Sequence, residues 1–247
     1  MIRKITLLLM CVTVTWNSQA QENNDAETWY QQSLELFEKK ENSQGLELLT
    51  RAAENGNPKA QYDLGGLYQT GRRGVKSNVK KAIQWYKKAS DQGYDNATYD
   101  LATIYFWGRG VAQDSKKAIN LYTKVGEHGD TQALLMAGII YHTADGLMGH
   151  NFKKALDYYI KAAKMGDDRG ECMYGLMQYR GHGMKANPTE GLSRINNVAN
   201  KGCGCAQLLL SSIDKERAEF WKQQYEANPE KDEFSGIMAT LIFYLIR

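Results

Sequence analysis

Two serine–lysine pairs one helical turn apart, Ser77-Asn-Val-Lys80 and Ser212-Ile-Asp-Lys215, come nearest in this chain to a catalytic device. In an S-x-x-K pair the amine takes the hydroxyl proton and the serine attacks an acyl carbon. That chemistry also needs the companion motifs S-D-N and K-T-G, and neither occurs. Ser77 falls beside a helix cap and Ser212 in a degenerate terminal stretch, so both pairs read as coincidences of structure. Four histidines, His128, His142, His150 and His182, form neither an i,i+4 pair nor an H-E-x-x-H arrangement. There is no G-x-S-x-G elbow. The stretches Gly108-Arg-Gly110 and Gly181-His-Gly183 lack a third glycine and a preceding strand, so a dinucleotide reading fails. The sequence assigns no catalytic residue, no metal site and no cofactor.

Three cysteines stand together late in the chain: Cys172, Cys203 and Cys205. If Cys172 and Cys205 lie on adjacent parallel helices, their offset is about one turn, ~4.5 Å of rise. Added to a helix spacing of ~9 Å, this exceeds the ~7 Å that a disulfide spans between Cα atoms. A bridge between them needs a distorted junction. Cys203-Gly-Cys205 forms only a strained, redox-labile bridge or a metal site, and no histidine pair stands near it. The preferred reading is small buried thiols.

The elements that hold these residues follow from a repeat. Glycine recurs at Gly56, Gly93, Gly129, Gly166 and Gly202, at intervals of 37, 36, 37 and 36 residues. Four residues later stand Ala60, Ala97, Ala133, Gly170 and Ala206; eight later, Leu64, Leu101, Ala137, Tyr174 and Leu210; twelve later, Tyr68, Tyr105, Tyr141 and Gln178. Steps of four put these on one face of a helix A. A short glycine loop follows, at Gly71–Val75, Gly108–Val111, 145–147 and Gly181–Met184. Then Asn78, Asp114, Asn151 or Asn187 caps a helix B, whose first small residue is Ala82, Ala118, Ala155 or Gly191. A helix pair cannot bury its own apolar face, so the pairs must stack.

The pattern A-x-x-x-L-G-x-x-Y-x-x-G-x-G-V, then Asp or Asn, then K-A-x-x-W/Y-Y-x-K-A-A-x-x-G, resembles the Sel-one-like repeat (SLR), a relative of the tetratricopeptide repeat. Tyr99 to Val125 matches it closely, and the likeness covers residues 43–222. The resemblance implies an all-α fold, an α/α superhelical solenoid of about five stacked helix pairs with capping helices. It also implies a concave groove lined by A helices. Residues 1–20 read as a signal peptide: Arg3 and Lys4, the apolar run Ile5 to Val14, then Ser18-Gln19-Ala20. Residues 21–56 read as an N-terminal capping helix with a first B-type helix, and 57–222 as SLR repeats with the last one shortened. Residues 223–247 read as a polar link and a C-terminal apolar helix. Its core, 236–246, is too short to span a bilayer and is either a buried closing helix or an apolar patch awaiting a partner.

Removing residues 1–20 lowers the formal charge from +3 to +1. A nearly neutral chain with no basic run carries no electrostatic case for nucleic acid. Lys80-Lys81, Lys116-Lys117 and Lys153-Lys154 read as the solvated outer faces of B helices. The expected partner is another protein, met by a monomer or weak dimer in the periplasm or outside the cell. Positions thirteen and fourteen after each glycine vary between copies while packing positions repeat, as at a binding surface. They give the candidate row Phe106, Trp107, His142, Tyr179 and Arg180. Tyr62, Asp63, Tyr99, Asp100, Met136 and Met173 form a second candidate row. The resemblance implies an adaptor, or an immunity protein against a delivered toxin. The alternatives are a β-lactam-interacting hydrolase, as among cysteine-rich members of the family, and a regulator docking on a membrane-protein ectodomain.

Overall fold

The computed structural model describes residues 25–143 and 149–228; the expected signal peptide, the loop 145–147 and the apolar segment 236–246 lie outside them. The described residues form twelve helices and no strand. They are α1 (25–38), α2 (Asn42–Glu54), α3 (Pro58–Thr70), α4 (Val79–Asp91), α5 (Asp95–Trp107) and α6 (Ser115–Glu127). There follow α7 (Thr131–Thr143), α8 (Phe152–Lys164), α9 (Asp168–Arg180), α10 (Pro188–Asn200), α11 (Gly204–Ile213) and α12 (Ala218–Ala227). Odd-numbered helices are A helices and even-numbered ones B helices. The architecture is an α/α repeat solenoid, and its helices group into two compact units that meet in sequence at Asp114 and Ser115.

The repeat length has a local explanation. From α2 to α10 every helix is 13 residues long, so two helices and two short turns complete each period. The turn after each B helix closes on the repeating glycine, at φ 91° for Gly56 and positive at its four counterparts. A side chain there would be strained. Starts are set by capping. Asn57, Asn78, Asn151 and Asn187 each accept from the amide three residues on, with Pro58 and Pro188 in first turns.

Packing follows from the B-helix stripe. In α4, Ala82, Tyr86, Ala89 and Ser90 are buried on one side while Lys80, Lys81, Lys87 and Lys88 are exposed on the other. Lys116, Lys117, Lys153 and Lys154 are exposed in the same way. Tyr86, Tyr122 and Tyr159 are the large buried anchors of successive B helices. Tyr86 and Tyr159 fit because the facing A helix carries glycine: a Cβ on Gly65 or Gly138 would stand 2.7 or 2.6 Å from the ring. In the first unit, Phe37, Leu49, Ala52, Ala53, Ala60 and Leu64 form one core that joins α1, α2 and α3. In the second, α7 touches α9 and α9 touches α11, besides their chain neighbours, which stacks A helix on A helix.

Candidate binding surface

In the first unit, phenol–carboxylate pairs link successive A helices. Tyr30 donates to Asp63 at 2.9 Å, and Tyr62, 32 residues on, faces the Asp100 carboxylate. Burial raises both phenols above their usual range, and the facing carboxylates add to the rise. Burial also pushes the Asp63 carboxyl up, against the bond from Tyr30 and the nearby charge of Arg73. The Tyr62 ring lies 5.6 Å from Tyr86 and 5.3 Å from Tyr94. So Tyr62, Asp63 and Asp100, read from sequence as a binding row, also connect one repeat to the next.

Beside these rungs lies a groove of about 330 Å³, lined among others by Phe37, Tyr62, Asp63, Arg72, Arg73 and Tyr86. Arg73 takes a left-handed backbone, φ 55°, and its guanidinium lies 3.8 Å from the centre of the Phe37 ring. A stacked guanidinium is held flat with its edge donors available for a carboxylate or a carbonyl. Sequence reasoning missed Arg73, Phe37 and Tyr86. The signal was the Arg72-Arg73 pair inside a loop read only for its glycines.

Phe106 and Trp107 end α5, also in the first unit. Their rings sit 4.6 Å apart; Phe106 is half-buried, and Trp107 is 50% exposed, an anchor left in solvent. Tyr99 is half-buried on the same helix.

The remaining members of the two rows belong to the second unit, and there the surface reading needs correction. His142 is 1% exposed. Its Nδ1 meets the Tyr159 hydroxyl at 3.3 Å, its Nε2 meets His182 Nδ1 at 3.3 Å, and its carbonyl accepts from His150 at 2.7 Å. Phe152 is stacked between the rings of His150 and His182. Burial holds His142 down at about 3, helped by the charges of His182, His150 and Arg180. Burial, Arg180 and His150 lower His182 as well. One repeat pair earlier, Gln69 accepts from Tyr86 at 2.7 Å, across the same 17-residue spacing that separates His142 from Tyr159. At these two copies, position thirteen satisfies a buried phenol, a task that glutamine and histidine share. Met136 and Met173 lie in the core because α7 and α9 are buried almost all round in their central turns. Tyr179 and Arg180 are half-buried at the end of α9.

The groups that suggested chemistry are otherwise engaged. Ser77 donates to the Gln69 carbonyl at 3.2 Å, and Ser212 to the Leu208 carbonyl at 3.4 Å. Neither proton is directed at its lysine. Among the described residues, no group of three or more His, Cys, Asp or Glu side chains is arranged to hold a metal ion. No described helix is long and apolar enough to cross a membrane. The cysteines match the preferred reading of small buried thiols, with Cys203 half-buried. Cys172 and Cys205 are buried, and the sulfurs of Cys203 and Cys205 stand 3.3 Å apart.

The repeat geometry agrees with a family-profile match. The Sel1 repeat profile matches residues 29–57, 58–94, 95–130, 131–167 and 169–193, most of the chain. The chain belongs to the Sel1 repeat family. A crystal structure of a Sel1 repeat protein from Oxalobacter formigenes is 31% identical. The match covers 81% of this chain and 86% of that one, with a TM-score of 0.67. A protective antigen of uropathogenic Escherichia coli with an SLR fold is 27% identical, over 82% of this chain and 48% of that one, with a TM-score of 0.58. Chitin synthase regulatory factor 3 of Schizosaccharomyces pombe is 35% identical over 85 residues, 34% of this chain and 9% of that protein. This Sel1 chain therefore spans well under two thirds of such curated relatives. Sel1 repeats mediate protein–protein interaction, and the chain is a Sel1 repeat interaction scaffold.

Proposed function

We propose that this Sel1 scaffold is exported and non-enzymatic, and that it holds a protein partner at the first-unit groove and at Trp107. The observation that carries the reading is the groove beside Tyr62 and Tyr86, with Arg73 stacked on Phe37 at its edge. Aromatic and arginine side chains bury large area at modest entropic cost and dominate interface energetics. Trp107, half exposed, is of the same kind. The non-enzymatic reading is supported by Ser77 and Ser212, whose protons go to backbone carbonyls. Export is supported by Arg3, Lys4, the apolar run and Ser18-Gln19-Ala20, which place cleavage before Gln21. Within this reading, an immunity role toward a delivered toxin is the form that the resemblance to exported SLR proteins suggests.

The test is capture of one identified partner by wild type, Trp107→Ala and Arg73→Ala. Each variant is expected to weaken capture by about 2 kcal/mol while the circular dichroism of the native fold is kept. Equal capture by all three, with folding intact, would refute this surface. N-terminal sequencing of the exported fraction tests cleavage, and an intact Met1 there would overturn the export reading.

A further inference from the structure

The second unit holds a thiol cluster that partner binding does not use. Cys203 is the N-cap residue of α11, with φ −62° and ψ 107°, and Cys205 lies in the first turn of that helix. Their sulfurs are 3.3 Å apart. Cys172, on the neighbouring helix α9, is the third thiol of this region. All three are free. Cys203 is half-buried and therefore reachable from solvent, whereas Cys172 and Cys205 are enclosed. The residue between the two neighbours in sequence is Gly204, which adds no side chain to the small ring that a bridge would close.

We propose that Cys203 and Cys205 form a reversible redox modification site that takes small-molecule disulfides, with Cys203 as the entry thiol and Cys205 as the resolving one. The Cys203 thiolate attacks one sulfur of a small disulfide such as oxidised glutathione. The S–S bond breaks, a mixed disulfide forms on Cys203, and one glutathione leaves as thiolate and takes up a proton. The Cys205 thiolate then attacks the Cys203 sulfur and expels the second glutathione, closing the Cys203–Cys205 bridge. Two protein thiols are oxidised and one glutathione disulfide is reduced to two thiols. The short ring strains the bridge, and strained bridges are readily reduced, so excess reduced glutathione runs the sequence backwards. The hydrogen bond with Cys205 and burial push the Cys203 thiol above its ordinary range. Bridge formation therefore speeds up as pH rises, because the thiolate is the nucleophile.

Trypsin places Cys203 and Cys205 together in peptide 202–215, and Cys172 in peptide 170–180. The reduced native chain is treated with oxidised glutathione, its remaining thiols are alkylated, and the peptides are weighed. The expected result is a 202–215 peptide that has lost two hydrogens and carries no alkyl group, together with an alkylated Cys172. Excess reduced glutathione should restore alkylation at all three sites. Cys205→Ala should stop at the glutathione adduct on Cys203. Cys203→Ser should slow all thiol loss by about tenfold, since only enclosed sulfurs remain. The wild-type result alone is decisive if the Cys205 variant fails to fold. Three fully alkylated thiols after native treatment, a wild type arrested at the Cys203 adduct, or a Cys172 bridge in its place would each overturn the proposal.

Discussion

His142 gives a prediction whose size follows from its burial. The ring is neutral in the fold, where its pKa is held at about 3, and in the unfolded chain it returns to 6.5. Below pH 6.5 the unfolded chain therefore binds a proton that the folded chain refuses, and stability falls with pH. The contribution is complete above 6.5 and is lost progressively toward the folded value near 3. At 1.36 kcal/mol per pH unit, His142 alone costs the fold about 2 kcal/mol at pH 5. The variant His142→Gln isolates this effect, because Gln69 already does the same task for Tyr86 at 2.7 Å. Glutamine should accept the Tyr159 hydroxyl and change stability at pH 7.5 by less than about 1 kcal/mol. Urea denaturation of both proteins at pH 7.5 and pH 5 supplies the comparison. The protein that keeps His142 should lose about 2 kcal/mol more than the variant between the two pH values. Titrating groups distant from the ring are common to both proteins and cancel, and His182, which meets Nε2 at 3.3 Å, is replaced by glutamine in both. Parallel losses would show that His142 is not buried and neutral in the fold.

Other substitutions probe the packing and the caps. Gly138→Ala puts a Cβ 2.6 Å from the Tyr159 ring and should cost about 1–3 kcal/mol in chemical denaturation. Leu101→Ala, at 5% exposure, should cost about 2–4 kcal/mol, whereas exposed Lys116→Ala should stay within about 0.5. Asp167 caps α9 through the amides of Arg169 and Gly170 and pairs with the Arg169 side chain at 2.8 Å, so Asp167→Ala should cost about 1–2 kcal/mol by the same measurement.

What was legible in the sequence was local. Glycine turns, asparagine caps and the small-residue stripe each act within a few residues, so their spacing carried over into helices and pairs. Burial at particular A-helix positions was not legible, because it depends on which side chain the neighbouring helix presents. His142 looked variable and therefore available, yet its type is tied to Tyr159, 17 residues on. That constant spacing, shared with Gln69 and Tyr86, was the one signal in the sequence that could have revealed it. Met136 and Met173 share a repeat position with Asp63 and Asp100, and only the packing of the second unit separates buried methionine from bridging carboxylate. The Arg73 stack on Phe37 needed a loop conformation that no periodicity encodes.

The pairs Tyr30–Asp63 and Tyr62–Asp100 have a polarity, phenol on the earlier repeat and carboxylate on the later. An in-frame loss of residues 57–93 would bring Ala97 and Leu101 to the places of Ala60 and Leu64, and would leave Tyr30 facing Asp100 with the same bond to make. Copy number in this part of the gene is thus open to unequal recombination, one 37-residue step at a time, with no new contact to invent. The other half of the chain lacks that freedom. His142 meets Tyr159 inside its own repeat but His182 in the next, so excising the copy that carries His182 would leave a ring enclosed by the core without one of its two partners.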